Sequence, residues 1–311
     1  MDLSIVTTMY HSAPYLREFY ERVKKEAERI TFDYEIIFVN DGSPDDSLQV
    51  AVSIQENDPR VCVVDLSRNF GHHRAIMTGL EYTSGERVFL IDCDLEEEPE
   101  LLGPFYDRFI QEDCDVVYGV QKRRKGGLFE RLSGGAFYRV LSFLSGDDMP
   151  RNIMTARLMS RRYVKSLLEH REREIYLGGL WHLTGYKQVP VEATKHSTSE
   201  STYSLRKKTA MAVNAITSFS DRPLIYIFYT GAALSFFSAL FILYFMVRKL
   251  FLGIEVGGWT SLIVSVWFLG GLTILFIGII GIYLSKVFIE TKKRPYTIVR
   301  AVYRKQGPEG S

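Results

Sequence analysis

Two stretches of this chain carry no charged side chain: Leu224 to Val247, and about Trp259 to Ser285. As helices, each is long enough to cross a hydrocarbon core of about 30 Å. A buried helix of a soluble core rarely runs so far without a charge, so two membrane spans are expected. The connector from Arg248 to Gly258 is short, which makes the pair a hairpin. Arg206, Lys207, Lys208 and Arg222 precede the first run, and Lys286, Lys292, Lys293, Arg294, Arg300, Arg304 and Lys305 follow the second. Only Arg248 and Lys249 are cationic on the connector. The positive-inside rule then expects both flanks and both termini in the cytoplasm, with the hairpin in the cytoplasmic (inner) membrane. Gly270, Gly271, Gly278 and Gly281 would permit close helix–helix approach, compatible with a homo-oligomer.

Up to about Ser220 the sequence is of a different kind. Leu3–Thr7 reads as a strand, and Pro14-Tyr15-Leu16 opens an amphipathic helix to about Ile30. Tyr34–Val39 is a second strand, and a helix follows to about Asn57. Val61–Asp65 is a third strand, followed by a helix from about Arg74 to Thr83. Val88–Ile91 makes a fourth strand and Val116–Gly119 a fifth. Alternating strands and helices point to an α/β domain with a mostly parallel, doubly wound, Rossmann-like sheet. The expected division is a catalytic domain over residues 1–204, a juxtamembrane amphipathic helix over 205–223, the hairpin over 224–288, and a basic cytoplasmic tail over 289–311.

Composition removes several alternatives. Lys plus Arg exceed Asp plus Glu by a single charge, 38 against 37, so no global field favours nucleic acid. Cys62, Cys93 and Cys114 are odd in number and lack metal-ligand spacing, which suggests packing roles in a reducing compartment. No basic segment precedes an apolar one at the N-terminus, so a signal peptide is not expected. There is neither a G-x-G-x-x-G nor a G-x-x-x-x-G-K-[ST] motif, and dinucleotide and P-loop sites are unsupported.

The chemistry concentrates after the strands. The fourth delivers Asp92 and Asp94, followed by Glu96, Glu97 and Glu98. In an open parallel sheet the ligand crevice lies beyond the carboxyl ends of the strands. Two carboxylates there suit a hard divalent cation, Mg²⁺ or Mn²⁺, that also holds a diphosphate. Tyr10-His11, Asp41-Gly42-Ser43 and Arg68-Asn69 fall on the same edge, and an acid after the second strand suits a nucleobase or ribose. His72, His73 and His170 have no spaced ligand partners and read as surface or packing residues.

Val39-Asn40-Asp41-Gly42-Ser43, Leu66-Ser67-Arg68-Asn69-Phe70-Gly71 and Ile91-Asp92-Cys93-Asp94-Leu95, in this order and spacing, resemble the inverting family 2 glycosyltransferases of GT-A fold. Within these the likeness is to polyprenyl-phosphate glycosyltransferases, the dolichyl-phosphate mannose synthase and bacterial GtrB-like group, and it covers nearly the whole chain. The resemblance implies transfer of one sugar from a nucleotide diphosphate donor, UDP favoured, to a polyprenyl phosphate. It implies that Tyr10, Asp41, Ser43, Arg68, Asn69 and Asp92 bind the nucleotide sugar. Asp92, Asp94 and Glu96 would hold the metal, and Asp92, Asp94 and Arg131 would carry the catalysis.

A basic loop, Gln121 to Gly127, leads into an amphipathic stretch with Phe129, Phe137 and Tyr138, a combination suited to an interface with anionic headgroups. Arg123, Arg131 and Arg206 are the candidates for gripping the acceptor phosphate, since a guanidinium fork matches phosphate geometry. Two departures from the family pattern stand out. Thr155 occupies a place where relatives often carry an Asp taken as the acceptor-side base, and around Tyr10 the chain has Thr8, His11 and Ser12 in place of Pro, Asn and Glu. A phosphate acceptor is already anionic, so general-base help, ordinarily about 10²–10⁴-fold, is dispensable; the other candidates for a base are Glu97, Glu174 and His182. Lys195 to Ser204 resembles the loop that relatives close over the donor. Two rival functions are a transferase extending a lipid-linked saccharide and a catalytically degenerate scaffold. The two-span tail and the absence of Gln-x-x-Arg-Trp weigh against the first, and the intact Asp92/Asp94 pair weighs against the second.

Overall fold

The computed structural model describes residues 1–121, 153–173, 175, 177–196, 217, 221–252 and 258–305. Arg123, Arg131, Arg206, Glu174, most of the expected donor loop and most of the expected juxtamembrane helix lie outside them. The described residues fall into two compact units.

The first unit is a three-layer α/β domain. In chain order it comprises β1 (Leu3–Met9), α1 (Leu16–Ile30), β2 (Tyr34–Asn40), α2 (Ser47–Asn57), β3 (Val61–Leu66), α3 (His72–Glu81) and β4 (Arg87–Leu90). A 3₁₀ turn over Pro99–Leu101, α4 (Leu102–Glu112), β5 (Val116–Gln121), β6 (Ile153–Ser160), α5 (Arg161–Glu169), α6 (Leu177–Leu183) and β7 (Gln188–Ala193) follow. Every residue of β2 and β3 is buried, as expected of strands covered on both faces by helices. The core includes Ile5, Phe19, Val23, Ile36, Phe38, Val63, Phe89 and Phe105.

Eight strands form one sheet in the order β7-β5-β6-β4-β1-β2-β3-β8, the last being Val299–Tyr303. From β1 the chain builds outward through β2 and β3, then returns to place β4 on the other side of β1, all four parallel. The β1/β4 boundary is therefore a topological switch point, where such sheets open a ligand crevice. The sheet is mostly parallel, as expected, with two reversed strands: β6 runs antiparallel to both β4 and β5, and β8 antiparallel to β3.

The largest correction concerns the C-terminus. Residues 299–303 are not a tail but an edge strand of the first unit, with alternating partial burial of Val299, Ala301 and Tyr303. Arg304 donates to the buried Glu35 at 2.5 Å, and Lys305 donates to the Glu56 carbonyl at 2.9 Å. The strand covers what would otherwise be an open β3 edge.

The second unit contains α7 (Arg222–Leu252) and α8 (Trp259–Thr291), which lie against each other. Arg222–Phe245 and Leu262–Thr291 are long and apolar enough to cross a membrane, and the apolar windows that qualify them are 0% buried. A soluble core helix of that composition would be covered, and neither helix stands at the N-terminus where a signal sequence would. Membrane association accounts for both.

Candidate active site

The loop after β2 is a closed hydrogen-bonded unit. Asp45 accepts from Ser43 Oγ (2.5 Å), Ser47 Oγ (2.6 Å), Ser47 N–H and Ala13 N–H. Burial works to raise its carboxyl, but these bonds outweigh it and hold the group at about 2. Ser43 Oγ also accepts the His11 N–H at 2.8 Å, so Ser43 braces the β1 loop. Asn40 joins in from below, accepting Ser43 N–H at 3.1 Å and donating to Asp65 at 2.8 Å.

Asp41 ties this loop to the one after β3. It is 3% exposed, and its two oxygens accept the Phe70 and Gly71 amides at 2.7 and 3.0 Å. Burial pushes its carboxyl up, opposed by the two amides. Between the loops sits Gly42, with φ of +60°; a Cβ there would meet the Arg68 carbonyl carbon and the Asn69 nitrogen at 2.4 Å. Only glycine permits this approach. Arg68 lies over the Phe70 ring, 4.2 Å from its centroid, and donates to the Asn69 carbonyl, leaving Arg68 and Asn69 on the exposed lip. Tyr10 is 48% exposed at the mouth.

Across the switch point the acids emerge in register with β1: Val6 pairs with Leu90, and Ile91 N–H donates to the Val6 carbonyl at 3.1 Å. The Thr155 side chain acts to lower the Asp92 carboxyl, and Asp94 accepts the Glu96 amide at 3.0 Å. Leu95 between them is left-handed, φ 60°, an uncommon conformation for a leucine. Burial and the neighbouring Asp94 push Asp92 up. Lys195, just past β7, sets its ammonium 3.3 Å from Glu96 and 3.7 Å from Glu97. Burial works to lower that ammonium, but Glu97, Asp92, Glu96 and Asp94 together hold it above its ordinary value.

Two sequence readings change here, those of Glu97 and His72. Glu97 is not a free base: it is fully buried, and its oxygens accept the Thr155 and Ala156 amides at 3.0 and 2.7 Å. Burial and then Asp92 push its carboxyl up, with Lys195 opposing. His182 is exposed on α6. His72 is no bystander, since its Nδ1 lies 3.0 Å from Thr8 Oγ1 and its Nε2 3.4 Å from Asp92. His73 does pack as expected, against the Ile175 carbonyl at 3.2 Å. Sequence spacing gave no sign of His72 because its partners come from β1 and the loop after β4.

Among the described residues, no three His, Cys, Asp or Glu side chains gather to enclose a metal. The donor set present, Asp92 and Asp94 with Glu96 beside them, fits a cation whose remaining ligands come from a diphosphate.

A protein-family model described as glycosyl transferase family 2 matches residues 4–168. A Mycobacterium tuberculosis protein described as a glycosyltransferase is 51% identical over 97% of this chain and 89% of its own length. An SfII prophage-derived bactoprenol glucosyl transferase of Shigella flexneri is 30% identical, covering 98% of this chain and 99% of the relative. Among solved structures, the mannosyltransferase PcManGT of Pyrobaculum calidifontis, bound to GDP-mannose and Mn²⁺, aligns with a TM-score of 0.49 at 14% identity, over 93% of this chain and 84% of that one.

Proposed function

The chain belongs to glycosyl transferase family 2, in its polyprenyl-phosphate group, and from that premise we propose that it transfers one sugar from a nucleotide diphosphate donor, a UDP-sugar in the first instance, to a polyprenyl phosphate, with inversion at the anomeric carbon. The observation that carries this reading is the meeting of a preformed loop pair, Asn40–Asp45 with Ser67–Gly71, and the Asp92/Asp94 pair at one switch point, in a chain with two membrane-length helices.

The exposed lip of Tyr10, Arg68 and Asn69 receives the nucleoside, while Asp41 and Ser43 hold the loops that shape it. Asp92 and Asp94, with Glu96, hold Mg²⁺ or Mn²⁺ against the diphosphate; bound there, the ion neutralises charge on the leaving group. His72 stands 3.4 Å from the Asp92 carboxylate, the Thr155 side chain favours its ionised form, and Lys195 balances the acids around it. The attacking phosphate oxygen is already anionic, which makes a protein base at position 155 unnecessary. Arg123, Arg131 and Arg206 are proposed to grip that phosphate, and its prenyl chain stays in the bilayer. Holding both substrates at the membrane surface supplies proximity. The product is a lipid-linked monosaccharide for cell-envelope glycans, made on the cytoplasmic face of the inner membrane.

The test is transfer of radiolabelled sugar, from a panel of nucleotide sugars, into organic-extractable undecaprenyl phosphate with Mg²⁺, Mn²⁺ or EDTA. Label entering lipid from one donor and abolished by EDTA supports the proposal. Preferential labelling of neutral saccharide acceptors would replace it with glycan extension. No label, with no metal-dependent nucleotide binding, would leave a scaffold.

A further inference from the structure

We infer that Arg300, on the strand that returns from the second apolar helix, is a positioning residue for donor binding; this rests on the donor reading of the loops after β2 and β3. Ser67 leads from β3 into the Arg68–Gly71 lip, and the C-terminal segment holds both of its backbone groups. Its N–H donates to the Ile298 carbonyl at 2.9 Å, and its carbonyl accepts from Arg300 Nη2 at 2.7 Å. The ladder between β3 and β8 is irregular at this point, between Asp65 and Leu66, so these two bonds continue the tie past the regular pairing.

The same guanidinium reaches the second loop. Arg300 Nε stands 3.6 Å from Asp65, whose other oxygen takes the Asn40 amide, and Asn40 in turn holds the Ser43 N–H. One side chain thus touches the stem of one donor loop and, through Asp65 and Asn40, steadies the other. Asp41 clasps the two together at their tips. Asp65 is 1% exposed, whereas the Arg300 side chain is 58% exposed. Solvent screens the Arg300 end of this pair, and the buried Asp65 keeps the Asn40 amide as a second partner, so the geometry assigns Arg300 to loop orientation. The strand itself has other attachments, including the Thr297–Thr78 hydroxyl pair at 2.7 Å and the Lys305 bond to Glu56, so it is expected to stay in place in Arg300→Ala.

The experiment uses the full chain in detergent micelles, titrated with UDP and with GDP in the presence of Mn²⁺ by calorimetry, alongside thermal unfolding. Arg300→Ala is expected to weaken nucleotide binding about five- to tenfold, the loss of one charge-assisted hydrogen bond, with Tm unchanged within about 2 °C. Arg300→Lys restores only part, since an ammonium cannot span Ser67 and Asp65 as a fork does. Equal affinity in wild type and Arg300→Ala overturns the inference, as does an affinity loss that merely follows a fall in Tm. Hydrogen exchange of the Phe70 and Gly71 amides, read without nucleotide, separates this inference from the donor reading. Exchange about tenfold faster in Arg300→Ala supports loop positioning, and unchanged exchange overturns it. A wild type that binds neither nucleotide overturns the donor reading on its own account.

Discussion

Asp41 and Asp45, on one side of the crevice, have both oxygens taken by donors from neighbouring backbone and hydroxyls. Asp92, Asp94, Glu96 and Glu97, on the other side, stand close together with the Lys195 ammonium set against them. Both clusters are acidic and both are partly buried, and burial pushes Asp41 up as it does Asp92; Asp45 is the exception. Hydrogen bonds hold Asp45 down at about 2 in spite of burial, whereas burial and like charge push Asp92 up. The first arrangement is complete before any ligand arrives and can only present a shape. The second holds more negative charge than it balances, which suits it to a cation and a diphosphate arriving together.

The contrast is broken most severely from the acidic side. Asp94→Ala should lower sugar transfer to lipid about a thousandfold, the equivalent of roughly 4 kcal/mol of transition-state stabilisation. Its melting temperature should match wild type, because Asp94 braces only the Glu96 amide. A residual rate within tenfold of wild type would remove Asp94 from the metal site. Gly42→Ala is the counterpart on the preformed side. Its Cβ would strike the Arg68–Asn69 backbone at a positive φ, so a loss of about 2–3 kcal/mol in unfolding free energy is expected, together with weaker nucleotide binding.

Asp45 gives the comparison a pH signature. Its folded value, about 2, lies below the ordinary 3.8, so its stabilising contribution is complete above about pH 4 and is lost as pH falls through 2. Asp45→Asn should therefore be less stable at neutral pH, by on the order of 1–2 kcal/mol, and its thermal stability should fall less steeply between pH 4 and 2. Parallel curves for the two proteins would refute the assignment. The smallest effect belongs to Thr155→Val, which removes a hydroxyl that favours the ionised form of Asp92 while keeping the backbone amide that binds Glu97. Transfer should fall less than tenfold, in keeping with one hydrogen bond of about 1 kcal/mol. A loss as large as that of Asp94→Ala would mean that position 155 takes a direct part in activating the acceptor.

Much of this architecture was legible in the chain. Asn40-Asp41-Gly42-Ser43, the Ser67–Gly71 turn and Asp92/Asp94 are local strings, each at the end of a strand whose apolar run announces it, and the uncharged runs after Leu224 leave little choice of solvent. What escaped was assembled from distant pieces. His72 meets Thr8 and Asp92, Lys195 meets Glu96 and Glu97, and neither partner set can be inferred without the sheet order. Glu97 resembled an available base because an acidic run usually faces water, and only the β6 amides reveal that it is buried. The strand at 299–303 was hidden by Arg300 and the basic residues that follow it: a half-buried edge strand carries its charge on the outer face, and five residues of Val-Arg-Ala-Val-Tyr read as readily as a basic tail.

That late strand also bears on how the protein is made. Residues after Leu66 must be synthesised through both apolar helices before Val299 exists, a delay of roughly 10–50 s at ordinary elongation rates. During that interval β3 is an unpaired edge on a nascent chain whose next segments are entering the bilayer. The sheet is therefore completed only after both apolar helices have been synthesised, and a chain that stops short of Val299 leaves the β3 edge open.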